Sequence, residues 1–263
     1  MIIDTHAHLN FSEFDHDREK LIKECLQEGY NIINIGTNKE SSQKCIEIAE
    51  NYPKGVFASV GLHPSNISSF LKEKDFFEKK EESFDYDYYK NLAKSSKVVA
   101  IGETGLDYWY KPKSKIKRKE FFEKQKYVFQ EHLRLARELN LPIVIHCRSA
   151  FDDLFNILTE QKGVVHCFTG NKGEAKRLLS LGYYLGINGI IFKIDLDEAI
   201  KIIPLEKMLL ETDCPYLSPP SFEQRNNPFS ISLIIEKVSE IKGISKEEIV
   251  KITTQNAKKL FNI

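Results

Sequence analysis

The chain is predicted to fold as a single (β/α)8 barrel over residues 1–263, and three observations predict it. Short apolar runs alternate with longer stretches of helical period from end to end, and eight such pairs fit the 263 residues. The late positions of several runs carry histidines or acids, the place where such barrels concentrate their chemistry. An open doubly wound sheet would share the alternation, but no Gly-x-Gly-x-x-Gly follows the first run, so the usual dinucleotide phosphate loop is missing.

In chain order, the first strand is read over Ile2 to Leu9 and its helix over Arg18 to Glu28. Asn31 to Gly36 and Ser41 to Asn51 form the second pair, and Val56 to Leu62 the third strand. The connection Pro64 to Lys97 mixes charges with aromatics, including Lys72-Glu73-Lys74-Asp75-Phe76-Phe77, and is expected to hold a solvated helix. Val98 to Leu106 is the fourth strand. After it come Tyr108-Trp109-Tyr110 and the basic residues Lys111, Lys113, Lys115, Lys117, Arg118 and Lys119, read as a loop ahead of a helix over Phe121 to Leu139. A charge run is commonly a solvated face; at a strand's carboxyl end it can also meet a nucleic-acid backbone. Strands five to eight are read over Ile143 to Cys147, Val164 to Phe168, Tyr183 to Gly189 and Met208 to Cys214, with a helix over Gly173 to Leu181. Helices over Pro228 to Lys242 and Lys246 to Phe261 close the chain.

Composition narrows the function classes. The 38 basic and 38 acidic residues cancel, so no global cationic field drives non-specific binding to nucleic acid, and any grip on phosphate must be local. The opening Met1-Ile2-Ile3-Asp4 lacks the features of a secretory signal, and no apolar run approaches the ~18 residues that cross a bilayer. A soluble cytoplasmic protein with no membrane partner is expected. Five cysteines without a Cys-x-x-Cys pair argue for reduced thiols.

The first strand ends Asp4-Thr5-His6-Ala7-His8, and strand alternation puts Asp4, His6 and His8 on one face. Glu103, His146, His166 and Asp213 fall late in strands four, five, six and eight. Four imidazoles and two carboxylates at one mouth suffice for two divalent ions if a carboxylate bridges them, and Glu103 is the expected bridge. Six unrelated polar core residues would bury ionisable groups without partners, at high cost. Cys147, Cys167 and Cys214 each sit one residue past an expected ligand, and alternation turns them outward to pack as small apolar groups. Arg148 shares the face of His146, where its guanidinium can hold a phosphate or carboxylate. Asp107 and His63 are candidate substrate or supporting groups, with structural hydrogen bonding as the plainer role.

These motifs resemble the TatD-type metal-dependent deoxyribonucleases of the amidohydrolase superfamily. The resemblance runs through Asp4-Thr5-His6-Ala7-His8-Leu9, Gly61-Leu62-His63-Pro64, Gly102-Glu103-Thr104-Gly105-Leu106-Asp107-Tyr108 and Ile145-His146-Cys147-Arg148. It continues through His166-Cys167-Phe168-Thr169-Gly170, Glu211-Thr212-Asp213-Cys214-Pro215-Tyr216-Leu217 and Asn256-Ala257-Lys258-Lys259-Leu260-Phe261. It implies one ion on His6, His8, Glu103 and Asp213 and a second on Glu103, His146 and His166. It further implies magnesium as the physiological ion and stepwise removal of nucleotides from a 3′ end. By donor type alone, zinc or manganese would also suit the site. Ser65 stands where that family often has a histidine, and Asn227 where it often has a glutamate.

The expected activity is therefore hydrolysis of phosphoester bonds by two divalent metal ions, with DNA, single-stranded or at 3′ ends, as partner and no obligate protein partner. Glu103 and Asp213 are the catalytic candidates, and His63, Asp107 and Arg148 those for substrate. Two alternatives share these residues: hydrolysis of another ester or amide, such as an aminoacyl-tRNA linkage, and a metal-bearing barrel that binds nucleic acid without cutting it.

Overall fold

The computed structural model describes residues 1–67, 82–220, 222 and 225–263. Eight strands lie in one parallel sheet in sequence order: β1 (Ile2–Ala7), β2 (Tyr30–Ile35), β3 (Val56–Val60), β4 (Val98–Asp107), β5 (Ile143–Arg148), β6 (Gly163–Val165), β7 (Tyr184–Ile187) and β8 (Met208–Leu210). Helices α1 (Arg18–Gln27), α2 (Lys39–Glu50), α3 (Tyr86–Leu92), α4 (Lys115–Leu139), α5 (Phe151–Ile157), α6 (Lys172–Ser180) and α7 (Asp197–Ile202) connect them, and α8 (Ile231–Lys242) and α9 (Lys246–Phe261) follow. This is the (β/α)8 barrel the alternation predicts.

Ladders join β1 through β8, and the last gap is closed by individual bonds. Asp213 N donates to His6 O at 2.8 Å and His8 N to Cys214 O at 2.8 Å. Thr5 Oγ1 donates to Leu210 O, and the Asp4 carboxylate accepts from Thr212 N (3.0 Å), Thr212 Oγ1 (2.6 Å) and His6 N (3.2 Å).

Strand neighbours across the barrel meet in an apolar cluster drawn from every strand: Ile3, Ile33, Ile35, Val99, Val144, Val164, Tyr184 and Leu209, with Phe57 packed against it. Side chains from opposite strands can touch only inside the barrel, so this cluster marks the interior face. Ala257, Leu260 and Phe261 of α9 join it. Thr254 donates to Met1 O, and Asn256 to Leu205 O and Met208 O, which lays α9 across the amino-terminal ends of β1 and β8. The candidate site residues lie at the opposite, carboxyl ends of the strands.

The helices start where side chains satisfy their first amides. Asn38 and Ser41 form a reciprocal cap on α2, Asn171 and Glu174 do so on α6, and Ser245 caps α9. Left-handed Asn140, Gly243 and Asn262 end α4, α8 and α9.

Several sequence expectations need correction. The register of β1 on β2 shifts between Asp4 and Ala7. Ile3 belongs to the interior, whereas Asp4 acts electrostatically on Cys25 of the outer helix α1. Asp4 thus does not share the face of His6 and His8, because the irregularity interrupts the alternation. Strands β6 and β8 end at Val165 and Leu210, before the positive-φ residues Cys167 (43°) and Asp213 (56°). Cys147 and Cys214 pack in the outer core as expected, but Cys167 lies beyond its strand and only part-buried, beside Asn188. The basic stretch expected as a loop is helical from Lys115 onward. Of the helix expected between Pro64 and Lys97, α3 is observed, while Lys72 to Phe77 lie outside the described residues. No described helix is long and apolar enough to cross a membrane.

Candidate metal centre

Glu103 is placed by its glycines. Gly102 and Gly105 take φ values of +130° and +139°, and a Cβ there would stand 2.4 Å from Val144 O and 2.1 Å from His146 O. Only glycine lets β4 lie this close to β5. The β4–β5 register also shifts between Ile101 and Thr104, and Glu103 N donates to Gly36 O at 2.9 Å, turning the buried carboxylate into the mouth.

The two oxygens of Glu103 face two groups of donors. Oε2 lies 3.4 Å from His6 Nε2 and 3.9 Å from His8 Nε2. The Asp213 carboxylate completes this side, its Oδ1 3.6 Å from His6 Nε2 and 3.3 Å from His8 Nε2. Oε1 lies 2.8 Å from His166 Nε2, 3.1 Å from His146 Nδ1 and 3.4 Å from His63 Nε2. The other five sequence-derived metal candidates are therefore gathered around Glu103.

Hydrogen bonds assign tautomers. His8 Nδ1 faces Ile35 O at 3.0 Å, and a carbonyl only accepts, so the neutral ring keeps its Nε2 lone pair aimed at His6, Glu103 and Asp213. His63 is the reverse: its Nδ1 accepts from Ser65 N at 3.1 Å, leaving Nε2–H to donate to Glu103. Burial pushes the His63 imidazole down to about 4, so it stays neutral. Ser65 and Asn227, the two departures from the family pattern, are thereby accounted for locally, the first fixing His63 and the second capping a short turn through Phe229 N.

Electrostatics hold the centre together. Burial alone would raise the Glu103 carboxyl, but His166, His63 and His6, with the hydrogen bond from His146, hold it well below the usual carboxylate range. Burial likewise opposes charge on His166, yet Glu103 and Glu211 keep it well above an ordinary imidazole. Unpaired with a cation, imidazole lone pairs and carboxylates within 4 Å repel or compete for protons. The convergent His8 lone pair, the buried His6 Nδ1 with no partner among the described residues, and the mixed nitrogen and oxygen donors suit a divalent ion. Among the described residues, three overlapping sets of three lie within 4.8 Å: His6 with His8 and Glu103, His6 with His166 and Glu211, and His63 with Glu103 and His146.

Asp107 and Arg148 are placed differently from each other. Asp107 Oδ2 lies 3.3 Å from His146 Nε2 and its Oδ1 accepts from Trp109 N at 3.0 Å, so it steadies the ring from behind. The Arg148 guanidinium lies over Trp109 and Tyr110, 4.8 and 5.4 Å from their ring centres. Sequence reasoning missed Glu211. This buried acid accepts from Cys167 N (2.6 Å) and Asn188 Nδ2 (3.1 Å) and lies 3.5 Å from His166 Nδ1. Its signal was the spacing Glu211-x-Asp213, two acids on one parity, and Gly186 makes room for it, since a Cβ there would meet Glu211 Oε2 at 2.4 Å.

Comparison with known proteins agrees with this arrangement. A family model described as TatD related DNase matches residues 3–262. The chain is 38% identical over 274 residues to YabD of Bacillus subtilis (strain 168), named an uncharacterized metal-dependent hydrolase, with 100% of both chains covered. It is 32% identical over 279 residues to the 3′-5′ ssDNA/RNA exonuclease TatD of Erwinia tasmaniensis, again over 100% of both. Among solved structures it resembles YJJV, a TatD homolog from Escherichia coli k12, with a TM-score of 0.83 and 30% identity over 100% of this chain and 98% of the other. The chain belongs to the TatD family of metal-dependent hydrolases.

Proposed function

We propose that the protein is a cytoplasmic phosphodiesterase that removes nucleotides from single-stranded 3′ ends of DNA. In this reading His6, His8, Glu103 and Asp213 hold one divalent ion, and Glu103, His146 and His166 hold a second. The observation that carries it is the division of Glu103, whose two oxygens face separate groups of imidazole donors. Its family membership and the exonuclease name of the Erwinia tasmaniensis relative support a nucleic-acid substrate. Magnesium is the expected physiological ion.

Bound divalent ions supply activation of water and neutralisation of phosphate charge. The chain's own residues do the rest. Asp213 accepts the proton of the attacking water: burial opposes its ionisation, but His8, His6 and His166 keep the carboxyl below its ordinary value and ready to accept. His63 donates to Glu103 and fixes the shared carboxylate. Asp107 orients His146 from its far side. Arg148, at the mouth, binds substrate as a fixed cation.

The test is time-resolved digestion of end-labelled single-stranded DNA by metal-stripped protein with magnesium, manganese or zinc restored, beside Glu103→Ala. A metal-dependent ladder of shortened products, absent from the variant, is expected. Folded wild-type protein that holds metal but releases no products would overturn the reading in favour of another ester.

A further inference from the structure

We infer that Trp109 is a stacking platform for an unpaired nucleobase beside the scissile phosphodiester, with Arg148 supporting it; this rests on the phosphodiesterase reading above. Trp109 is 58% exposed, an unusual state for so large an apolar ring. It is nevertheless held at the mouth of the metal centre. Its backbone N–H donates to Asp107 Oδ1 at 3.0 Å, and the other oxygen of Asp107 lies 3.3 Å from His146 Nε2. One side chain thus separates the indole's anchor from the imidazole cluster.

The Arg148 guanidinium, 4.8 Å from the indole centre, covers one face of the ring. A cation there is attracted by the ring's negative π-face and brings positive charge beside the metal cluster, where a phosphate would lie. The remaining exposed indole surface matches the flat face of a base, and any base offers such a face. Arg118 donates to Pro112 O and Lys113 O and steadies the segment that carries the aromatics, while Lys111 and Lys113 are exposed there. In a chain with no net charge, this cationic and aromatic patch is local, as recognition of a strand end requires. Bases within a duplex are already stacked on both sides, so the platform selects unpaired ends.

Trp109 is the single tryptophan of the chain, so its emission reports this position alone. The experiment titrates the metal-loaded protein with end-labelled oligothymidylate joined by uncleavable methylenephosphonate linkages, following tryptophan emission and label anisotropy together. An abasic oligomer of the same length and linkage is the control. Oligothymidylate is expected to quench the emission and the abasic oligomer to leave it unchanged. Trp109→Ala should weaken oligothymidylate binding about fivefold to a hundredfold without changing abasic binding, and Trp109→Phe should restore most of the loss. Anisotropy that reports binding without quenching, or an Ala variant that binds like the wild type, overturns the platform and leaves the phosphodiesterase reading standing. No binding of either oligomer, together with no cleavage of natural DNA, overturns both.

Discussion

The site spans two opposite edges of the barrel that are built in different ways. On one side β4 and β5 are paired through Thr104–Ile145, Gly105–His146, Leu106–Cys147 and Asp107–Arg148, so the ladder carries His146 to the mouth and resumes just past Glu103, which sits at the register shift. On the other, β1 and β8 form no ladder among the described residues; backbone bonds at His6, His8 and Asp213 and the Asp4 carboxylate make the join. One half of the centre is positioned by a regular ladder, the other by a few single backbone bonds and a buried side chain. The two should therefore fail differently.

The largest effect is expected from Gly105→Ala. Both the φ of +139° and the 2.1 Å approach of a Cβ to His146 O forbid the change without prising β4 from β5. A loss of roughly 4 kcal/mol or more is expected in denaturant unfolding; a variant within 1 kcal/mol of the wild type would show that ladder does not position this edge. Asp4→Ala should cost less, about 2–3 kcal/mol, by stranding Thr212 N, Thr212 Oγ1 and His6 N. Because the seam adjoins His6 and Asp213, that variant should also weaken metal binding in calorimetry. Unchanged metal affinity would separate the seam from the site.

A narrower comparison concerns the acids behind the imidazoles. Glu211→Gln, behind His166, and Asp107→Asn, behind His146, should each lower metal affinity roughly tenfold to a hundredfold. Asp107 also accepts from Trp109 N, but Glu211 holds both Cys167 N and Asn188, so its variant should lower the thermal midpoint more. Equal midpoints would remove that distinction.

The smallest effect tests the link between α4 and the segment that follows β3. His132 accepts from Leu62 N at 3.0 Å and bonds to Val128 O at 2.7 Å, and burial pushes its imidazole down to about 3 from 6.5. The folded state resists a proton that the unfolded chain takes up, so this contribution is complete above about pH 6.5 and falls as the solution is acidified toward 3. Between pH 7 and 6 the loss is about 0.7 kcal/mol. Chemical denaturation at the two pH values should show that share missing in His132→Gln.

The sequence made the barrel legible because period-two and helical patterns alternate cleanly. It also singled out the six residues now proposed as metal ligands, for reasons of unequal strength. Between His6 and His8, and between Val144 of the interior cluster and His146, alternation holds without interruption. For Asp4 it fails, since a register shift is a property of two paired strands and leaves no mark in one of them. Asp213 does reach the cluster, but its placement uses a left-handed backbone that alternation does not describe. Glu211 went unassigned because its role depends on the space left by Gly186, a neighbour in the barrel but far off in the chain. The start of α4 was misjudged because its lysines are exposed and carry no apolar period until Phe121.

The seam bond between Asp4 and Thr212 joins residues 208 positions apart. A ribosome therefore releases His6 and His8 long before it makes Asp213, and α9, which covers the strand starts, emerges later still. Through most of synthesis the nascent chain carries only part of the proposed ligand set. Loading with metal belongs to the end of folding, after the first strand has waited for the last.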